Sequence, residues 1–122
     1  MSKKIEPVAE ANLFDFTFRR NLQYEQNENG NVVLIIPKFK NPFFVKWFVP
    51  MLAKKYFRVK LDERGSFIWN NCDGKTKLIE IADKMKEQFN EKEDTIYGRI
   101  AMFILKMEKD GFLVRVVENK NL

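Results

Sequence analysis

Hydrophobic residues alternate with polar ones in the first half of the chain and recur at helical spacing in the second half. Between Leu13 and Arg19, every second residue is a phenylalanine, at Phe14, Phe16 and Phe18. This period of two is typical of a strand with one buried face. The change of period near the middle of the chain predicts strands first and helices afterwards.

Two further strands are predicted before the helices begin. The Asn29-Gly30 pair suits a hairpin turn, because both residues tolerate positive φ angles. Residues 32–36 follow as an unbroken run of valine, leucine and isoleucine, which predicts a buried strand. Residues 56–61 alternate again and predict a third strand, with Phe57 and Val59 on one face.

The first predicted helix begins after Asp62, whose carboxylate suits the N-cap position. Its apolar stripe contains Gly65, Ile68 and Cys72, with Trp69 beside them. Cys72 is the only cysteine, so no intramolecular disulfide can form and a reducing compartment fits best. We interpret Cys72 as a small buried residue rather than a nucleophile.

Local signals also predict the bounds of the second and third helices. Asp73-Gly74 predicts a turn, and Thr76 predicts the N-cap of the second helix. Asn90 and Glu93 have capping-box spacing, so the third helix should start there and end before Gly111. The apolar positions of the second helix are Leu78, Ile81, Ala82, Met85 and Phe89.

Residues 112–117 predict a closing strand or extended tail. The order of elements predicts an α+β fold: about three N-terminal antiparallel β-strands, a three-helix bundle and a short C-terminal extended segment. We expect residues 1–12 to form a flexible N-terminal arm and residues 13–122 to form a single domain. Within that domain, strands should occupy 13–60, and the helices and the closing segment should occupy 61–117.

The third predicted helix is apolar over more of its circumference than packing requires. Its apolar residues sweep through roughly 200°, about twice the width of an ordinary buried stripe. One half is centred on Ile96, Ile100, Phe103 and Met107, and it suffices for packing on the other helices. The surplus shoulder either packs on the strands or forms a wall for an apolar ligand, a peptide or a second subunit. It consists of Tyr97, Ala101 and Leu105.

Residues 38–55 form an aromatic and basic insertion between the second and third strands. Asn41 and Pro42 predict a helix start, and Pro50 predicts its end. Three interpretations stay open: a helix that covers a sheet face, a partner-docking or self-association patch, and shallow attachment to a membrane surface. The aromatic residues are Phe43, Phe44, Trp47 and Phe48.

Composition narrows the classes of function. Hydrophobic residues make up 45% and charged residues 32% of the 122 residues, which indicates a soluble globular domain. The chain has no histidine, which removes the commonest general base and metal ligand, so we expect no catalytic residues, metal site or cofactor. We find no apolar run long enough for a signal peptide or a membrane span, and expect a cytoplasmic protein.

Several short motifs extend across the helical half, and together they resemble a known family. The chain contains, in order, Leu61-Asp62-Glu63, Gly65-Ser66, Ile68-Trp69, Cys72-Asp73-Gly74-Lys75-Thr76, Glu80-Ile81, Phe103-Ile104 and Gly111-Phe112-Leu113. This pattern resembles the coenzyme PQQ synthesis protein D (PqqD) family over residues 56–117, about half of the chain. The motifs are structural rather than catalytic.

The resemblance implies a winged-helix-like domain similar to the RiPP recognition elements. Those elements hold the leader of a ribosomally made precursor peptide and present it to a modifying enzyme, a radical SAM protein in the founding pathway. The leader adds as a strand beside the third strand and lies against the third helix. Carried over to this chain, the peptide-binding residues are Tyr56, Phe57, Arg58, Val59, Lys60, Tyr97, Ala101 and Leu105, and Arg58 and Lys60 are available for acidic leader residues.

Other functions stay open at this point. A winged-helix DNA-binding protein is one alternative, but acidic residues offset the basic ones in the helical region, and we expect no nucleic acid partner. A repurposed structural or self-associating domain, such as a homodimer, is another. The insertion at 38–55 either leaves the edge of the third strand free for a peptide or covers it.

Overall fold

The computed structural model describes residues 12–37 and 56–117. Residues 1–11 of the predicted arm 1–12 lie outside the described residues, as does the insertion 38–55 with its aromatic residues Phe43, Phe44, Trp47 and Phe48. The chain divides into two compact units. We call Leu22–Ser66 the hairpin unit, and Met1–Asn21 together with Phe67–Leu122 the helical unit.

The described elements confirm the predicted α+β layout of N-terminal antiparallel strands, three helices and a C-terminal strand. In chain order they are a 3-10 helix (Leu13–Asp15), β1 (Thr17–Arg20), β2 (Tyr24–Gln26), β3 (Val32–Pro37), β4 (Tyr56–Lys60), α1 (Glu63–Asn71), β5 (Asp73–Lys77), α2 (Leu78–Phe89), α3 (Glu93–Lys109) and β6 (Leu113–Val116).

The hairpin unit contains an antiparallel sheet in the order β2-β3-β4. The predicted hairpin turn joins β2 to β3, and Gly30 adopts a φ of +83° there. The side chain of Asn27 stabilises this turn, because its Oδ1 accepts from the backbone N–H groups of Asn29 and Asn31, at 2.9 Å each. The buried start of β3 confirms the predicted buried strand.

Helix α1 begins after Asp62, as the sequence predicted. The Oδ1 atom of Asp62 accepts from the backbone N–H of Gly65 at 2.7 Å, which is the expected N-cap bond. Gly65, Ile68 and Cys72 are buried, as the apolar stripe predicted. Trp69 is fully buried beside them.

The helical unit contains a second antiparallel sheet, in the order β5-β1-β6. Its central strand, β1, is shorter than the phenylalanine pattern predicted, because residues 13–15 form a 3-10 helix that Asn12 caps. The buried core of this unit contains Phe18, Ile68, Trp69, Cys72, Leu78, Ile81, Ala82, Met85, Ile96, Ile100, Ile104, Phe112 and Leu113.

Thr76 does not cap the second helix, and this prediction was wrong. Asp73 accepts from the backbone N–H groups of Lys75 and Thr76 at 2.8 Å each, and the Thr76 hydroxyl donates to Asp73 Oδ2 at 3.1 Å. These bonds lie within β5, which pairs with β1, and Gly74 adopts a φ of +82° there. The residue at the N-cap of α2 is Lys77, which forms no side-chain cap bond.

The capping box predicted for the third helix is also absent. Asn90 ends α2 instead of starting α3, because it adopts a left-handed conformation with φ 52° and ψ 47°. Its backbone N–H donates to the Lys86 carbonyl at 3.0 Å. Asparagine tolerates this conformation better than most residues. The N-cap of α3 is Lys92.

Within residues 12–37 and 56–117, no helix is long and apolar enough to cross a membrane.

Candidate functional site

Strand β4 lies at the edge of the hairpin sheet. It pairs with β3 on one side, and no described strand pairs with its other side. All five residues of β4 are exposed. An edge strand presents backbone N–H and C=O groups that another extended chain can pair with. Among the described strands, the predicted binding strand, Tyr56–Lys60, is therefore at a sheet edge.

The hydrogen-bond pattern of β3 defines which of its backbone groups face β4. The N–H of Ile35 donates to the Gln23 carbonyl at 3.0 Å, so the groups of Ile35 face β2. Groups of successive residues point to opposite sides of a strand. Those of Val32, Leu34 and Ile36 therefore face β4, in agreement with the 2.8 Å bond from Leu61 N–H to the Val32 carbonyl.

The same alternation identifies the outward groups of β4. Leu34 is paired with Val59, and Ile36 with Phe57, so the backbone groups of Val59 and Phe57 face β3. The N–H and C=O groups of Arg58 and Lys60 consequently point to the outer edge. These two residues offer backbone donors and acceptors for an added strand.

The two faces of β4 differ in chemistry. Val59 is opposite Leu34, which in turn is opposite Tyr24, so these three side chains share a face. Phe57, two residues from Val59, lies on that face as well. Phe57 and Val59 are 53% and 41% exposed, so the part of this face that β4 contributes is apolar and accessible to solvent.

The opposite face of β4 has two cations, Arg58 and Lys60. Arg58 Nη2 forms an ion pair with Glu25 Oε1, and both side chains are 55% exposed. The hydrogen bond from Arg58, together with its charge, lowers the pKa of Glu25. No described residue forms an ion pair with Lys60.

Ser66 connects β3 to the end of β4. Its Oγ accepts from the Val32 N–H at 2.8 Å and lies 3.5 Å from the Leu61 carbonyl oxygen. The hydroxyl therefore satisfies the buried N–H at the start of β3 and lies beside Leu61, the residue that follows β4. Ser66 is only 4% exposed, and among the described residues it is the one polar residue that is buried. Ser66 belongs to the Gly65-Ser66 motif of the family resemblance, but the hydrophobic pattern predicted no role for it.

The three residues of the predicted α3 shoulder differ in exposure. Leu105 is 48% exposed, as a binding surface requires, whereas Tyr97 and Ala101 are half-buried. The ring of Tyr97 packs against Phe14, with 4.9 Å between ring centroids, and its hydroxyl donates to Glu93 Oε2 at 3.2 Å. Tyr97 thus has an intramolecular packing role.

The most buried stripe of α3 is narrower than the predicted packing half. It consists of Ile96, Ile100 and Ile104, whereas Phe103 and Met107 are half-buried. Met102, which the pattern did not single out, is 76% exposed. Gly98 lies one turn before it, and a Cβ atom there would meet nothing within 4 Å. Strand β4 belongs to the hairpin unit and α3 to the helical unit, so a groove with both as walls stays a prediction.

Cys72 has the environment of a structural residue. Its side chain is 1% exposed, and burial raises the pKa of its thiol to about 12. The thiol is therefore protonated at neutral pH, whereas a nucleophilic cysteine needs its thiolate form. Among the described residues, no three or more His, Cys, Asp or Glu side chains are grouped as a metal site requires.

Comparison with known proteins identified a family match. The model of the coenzyme PQQ synthesis protein D (PqqD) family matches residues 51–113, which include β4, α1, β5, α2, α3 and the start of β6. The matched segment is 63 of the 122 residues, just over half of the chain. Comparison with curated proteins and with solved structures gave no match.

Proposed function

Because this chain belongs to the coenzyme PQQ synthesis protein D (PqqD) family, we propose that it binds the leader of a ribosomally made precursor peptide. In this proposal it presents the leader to a modifying enzyme, such as a radical SAM protein, and performs no chemistry itself. Members of the family are accessory, non-catalytic proteins, and the family suggests a peptide-binding role in PQQ biosynthesis.

The exposed edge of β4 is the observation that carries this proposal. An extended peptide can add to the sheet there, through main-chain bonds to the outward groups of Arg58 and Lys60. Main-chain bonds supply affinity that depends little on sequence, and neighbouring side chains supply specificity. The site needs no cofactor.

A proline substitution tests the main-chain bonds directly. Proline lacks an N–H and is tolerated on the outer side of an edge strand. Arg58→Pro removes one outward donor and the side chain, and Arg58→Ala removes the side chain alone. Fluorescence anisotropy with a panel of short capped peptides of apolar, acidic, basic and mixed sequence measures binding to both variants.

We expect at least one peptide of the panel to bind, and Arg58→Pro to bind it about tenfold more weakly than Arg58→Ala, since a lost hydrogen bond costs about 1 to 1.5 kcal/mol. Circular dichroism confirms that both variants keep their fold. Equal affinity of the two variants would contradict strand addition at β4. A panel without any binder would count against the peptide-binding function itself.

We also propose that the α3 surface takes part in peptide binding. Tyr97, Ala101 and Leu105 would provide an apolar contact for the bound peptide, and Leu105 is the exposed member of this set. Leu105→Asp should weaken peptide binding in a correctly folded protein, because it places a charge in an apolar contact. Unchanged affinity would remove α3 from the site and leave the β4 edge as the site.

A further inference from the structure

The chemistry of the two faces of β4 indicates which peptides fit its edge. Residues directly opposite each other on neighbouring strands share a face, so every second residue of an added strand would lie beside Phe57 and Val59. The intervening residues would lie beside Arg58 and Lys60. Given strand addition at this edge, we propose that the bound segment alternates apolar and acidic residues, and that Lys60 is its main charge contact.

The apolar half of this pattern follows from exposure. Phe57 and Val59 are about half exposed on a face that they share with the buried Leu34. An apolar side chain of an added strand would cover both residues and remove their surface from water. A polar residue at that position would lose this contribution, so apolar residues are favoured at every second position.

The acidic half of the pattern follows from the cations on the other face. Lys60 is opposite Val33, and Val33 is opposite Glu25, so all three residues share this face with Arg58. Glu25 accepts a hydrogen bond from Arg58 and offsets its charge. An incoming carboxylate would compete with Glu25 for Arg58, whereas Lys60 has no such internal partner among the described residues.

Three peptides test the alternation. One has the capped core Leu-Glu-Val-Glu, the second has the same composition in blocks, Leu-Val-Glu-Glu, and the third reverses the charges as Leu-Lys-Val-Lys. We expect the alternating acidic peptide to bind about tenfold more tightly than the other two, since favourable cross-strand pairs add over several positions. Fluorescence anisotropy at low ionic strength measures the three affinities.

Variants of the protein test the role of Lys60. Lys60→Gln should weaken binding of the alternating acidic peptide about threefold, as an exposed ion pair contributes. The double substitution Arg58→Gln with Glu25→Gln removes both partners of the internal ion pair and leaves the net charge unchanged, so it should change the affinity by less than about twofold. Glu25→Gln alone removes the partner of Arg58 and leaves its guanidinium available to the peptide. Adding Arg58→Gln to that variant should then weaken peptide binding about as much as Lys60→Gln does. Lys60→Glu should reverse the preference toward the Leu-Lys-Val-Lys peptide.

The outcomes distinguish this inference from the proposed function. If all three peptides bind equally and Arg58→Pro weakens each of them, strand addition stands and the alternating specificity is overturned. If the double substitution Arg58→Gln with Glu25→Gln weakens binding as much as Lys60→Gln does, the assigned role of Lys60 is overturned. If none of the three peptides binds, while another peptide of the panel binds at this edge, the inference fails alone. If no peptide binds at all, the proposed function and the inference fail together.

Discussion

The Ser66 bridge between β3 and β4 gives a quantitative prediction. Ser66→Ala removes the acceptor of the Val32 N–H, and Val32 is fully buried, so water cannot replace the lost partner. A buried donor without a partner costs about 1 to 3 kcal/mol. The 3.5 Å contact with the Leu61 carbonyl is long for a hydroxyl hydrogen bond and adds little.

One effect opposes this loss. Ser66 lies in α1, where alanine has a helix propensity better than that of serine by about 0.5 kcal/mol. We therefore expect Ser66→Ala to lower the free energy of unfolding by about 0.5 to 2.5 kcal/mol, measured by equilibrium urea denaturation. Hydrogen exchange of the Val32 amide should accelerate more than that of other core amides, because the loss is local.

Thr76→Val is the matched control. It also removes a hydroxyl, but the Thr76 hydroxyl donates to Asp73 in a solvent-exposed hydrogen bond, so we expect a change below about 0.5 kcal/mol. A Ser66→Ala protein as stable as the parent, with unchanged exchange at Val32, would refute the bridging role of this hydroxyl.

Three further predictions concern the scaffold. Asp62→Ala should destabilise the protein by about 1 kcal/mol in urea denaturation because it removes the N-cap of α1, whereas Asp62→Asn should be nearly neutral. Gly98→Ala should raise the free energy of unfolding by up to about 1 kcal/mol, since it improves helix propensity where a Cβ meets nothing within 4 Å; a destabilising effect would show that this surface is tightly packed. Because burial raises the pKa of Cys72 to about 12, the stability that the neutral thiol provides is present below the unfolded pKa of about 8.5 and is lost as pH rises toward 12. Ellman's reagent at pH near 8 should therefore label Cys72 only after denaturation, and rapid labelling of the native protein would contradict its burial.

Signals within a few residues of one another predicted much of the scaffold. The N-cap at Asp62 and the apolar stripe of α1 were predicted correctly, because each depends on residues that are close together in the sequence. The position of Thr76 was misread because β5 forms by pairing with β1, more than fifty residues earlier in the chain. A capping preference gave no information about that long-range pairing.

The candidate site could be predicted only in part, for a similar reason. Alternation identified residues 56–60 as a strand, but the outward direction of the Arg58 and Lys60 backbone groups depends on the register with β3. The helical wheel placed Tyr97 on a free shoulder, and contact with Phe14 of the distant 3-10 helix partly covers it. Ser66 had no periodic signal, because its role depends on two strands meeting beside it.

Residue-resolved amide hydrogen exchange of β4 measures whether a peptide adds to its outer edge. On addition of the capped Leu-Glu-Val-Glu peptide, the outward amides of Arg58 and Lys60 should slow by about tenfold or more, because they gain hydrogen-bond partners. The amides of Phe57 and Val59, which already face β3, should change much less. Exchange at Arg58 and Lys60 that stays the same while the peptide is bound would contradict strand addition at this edge.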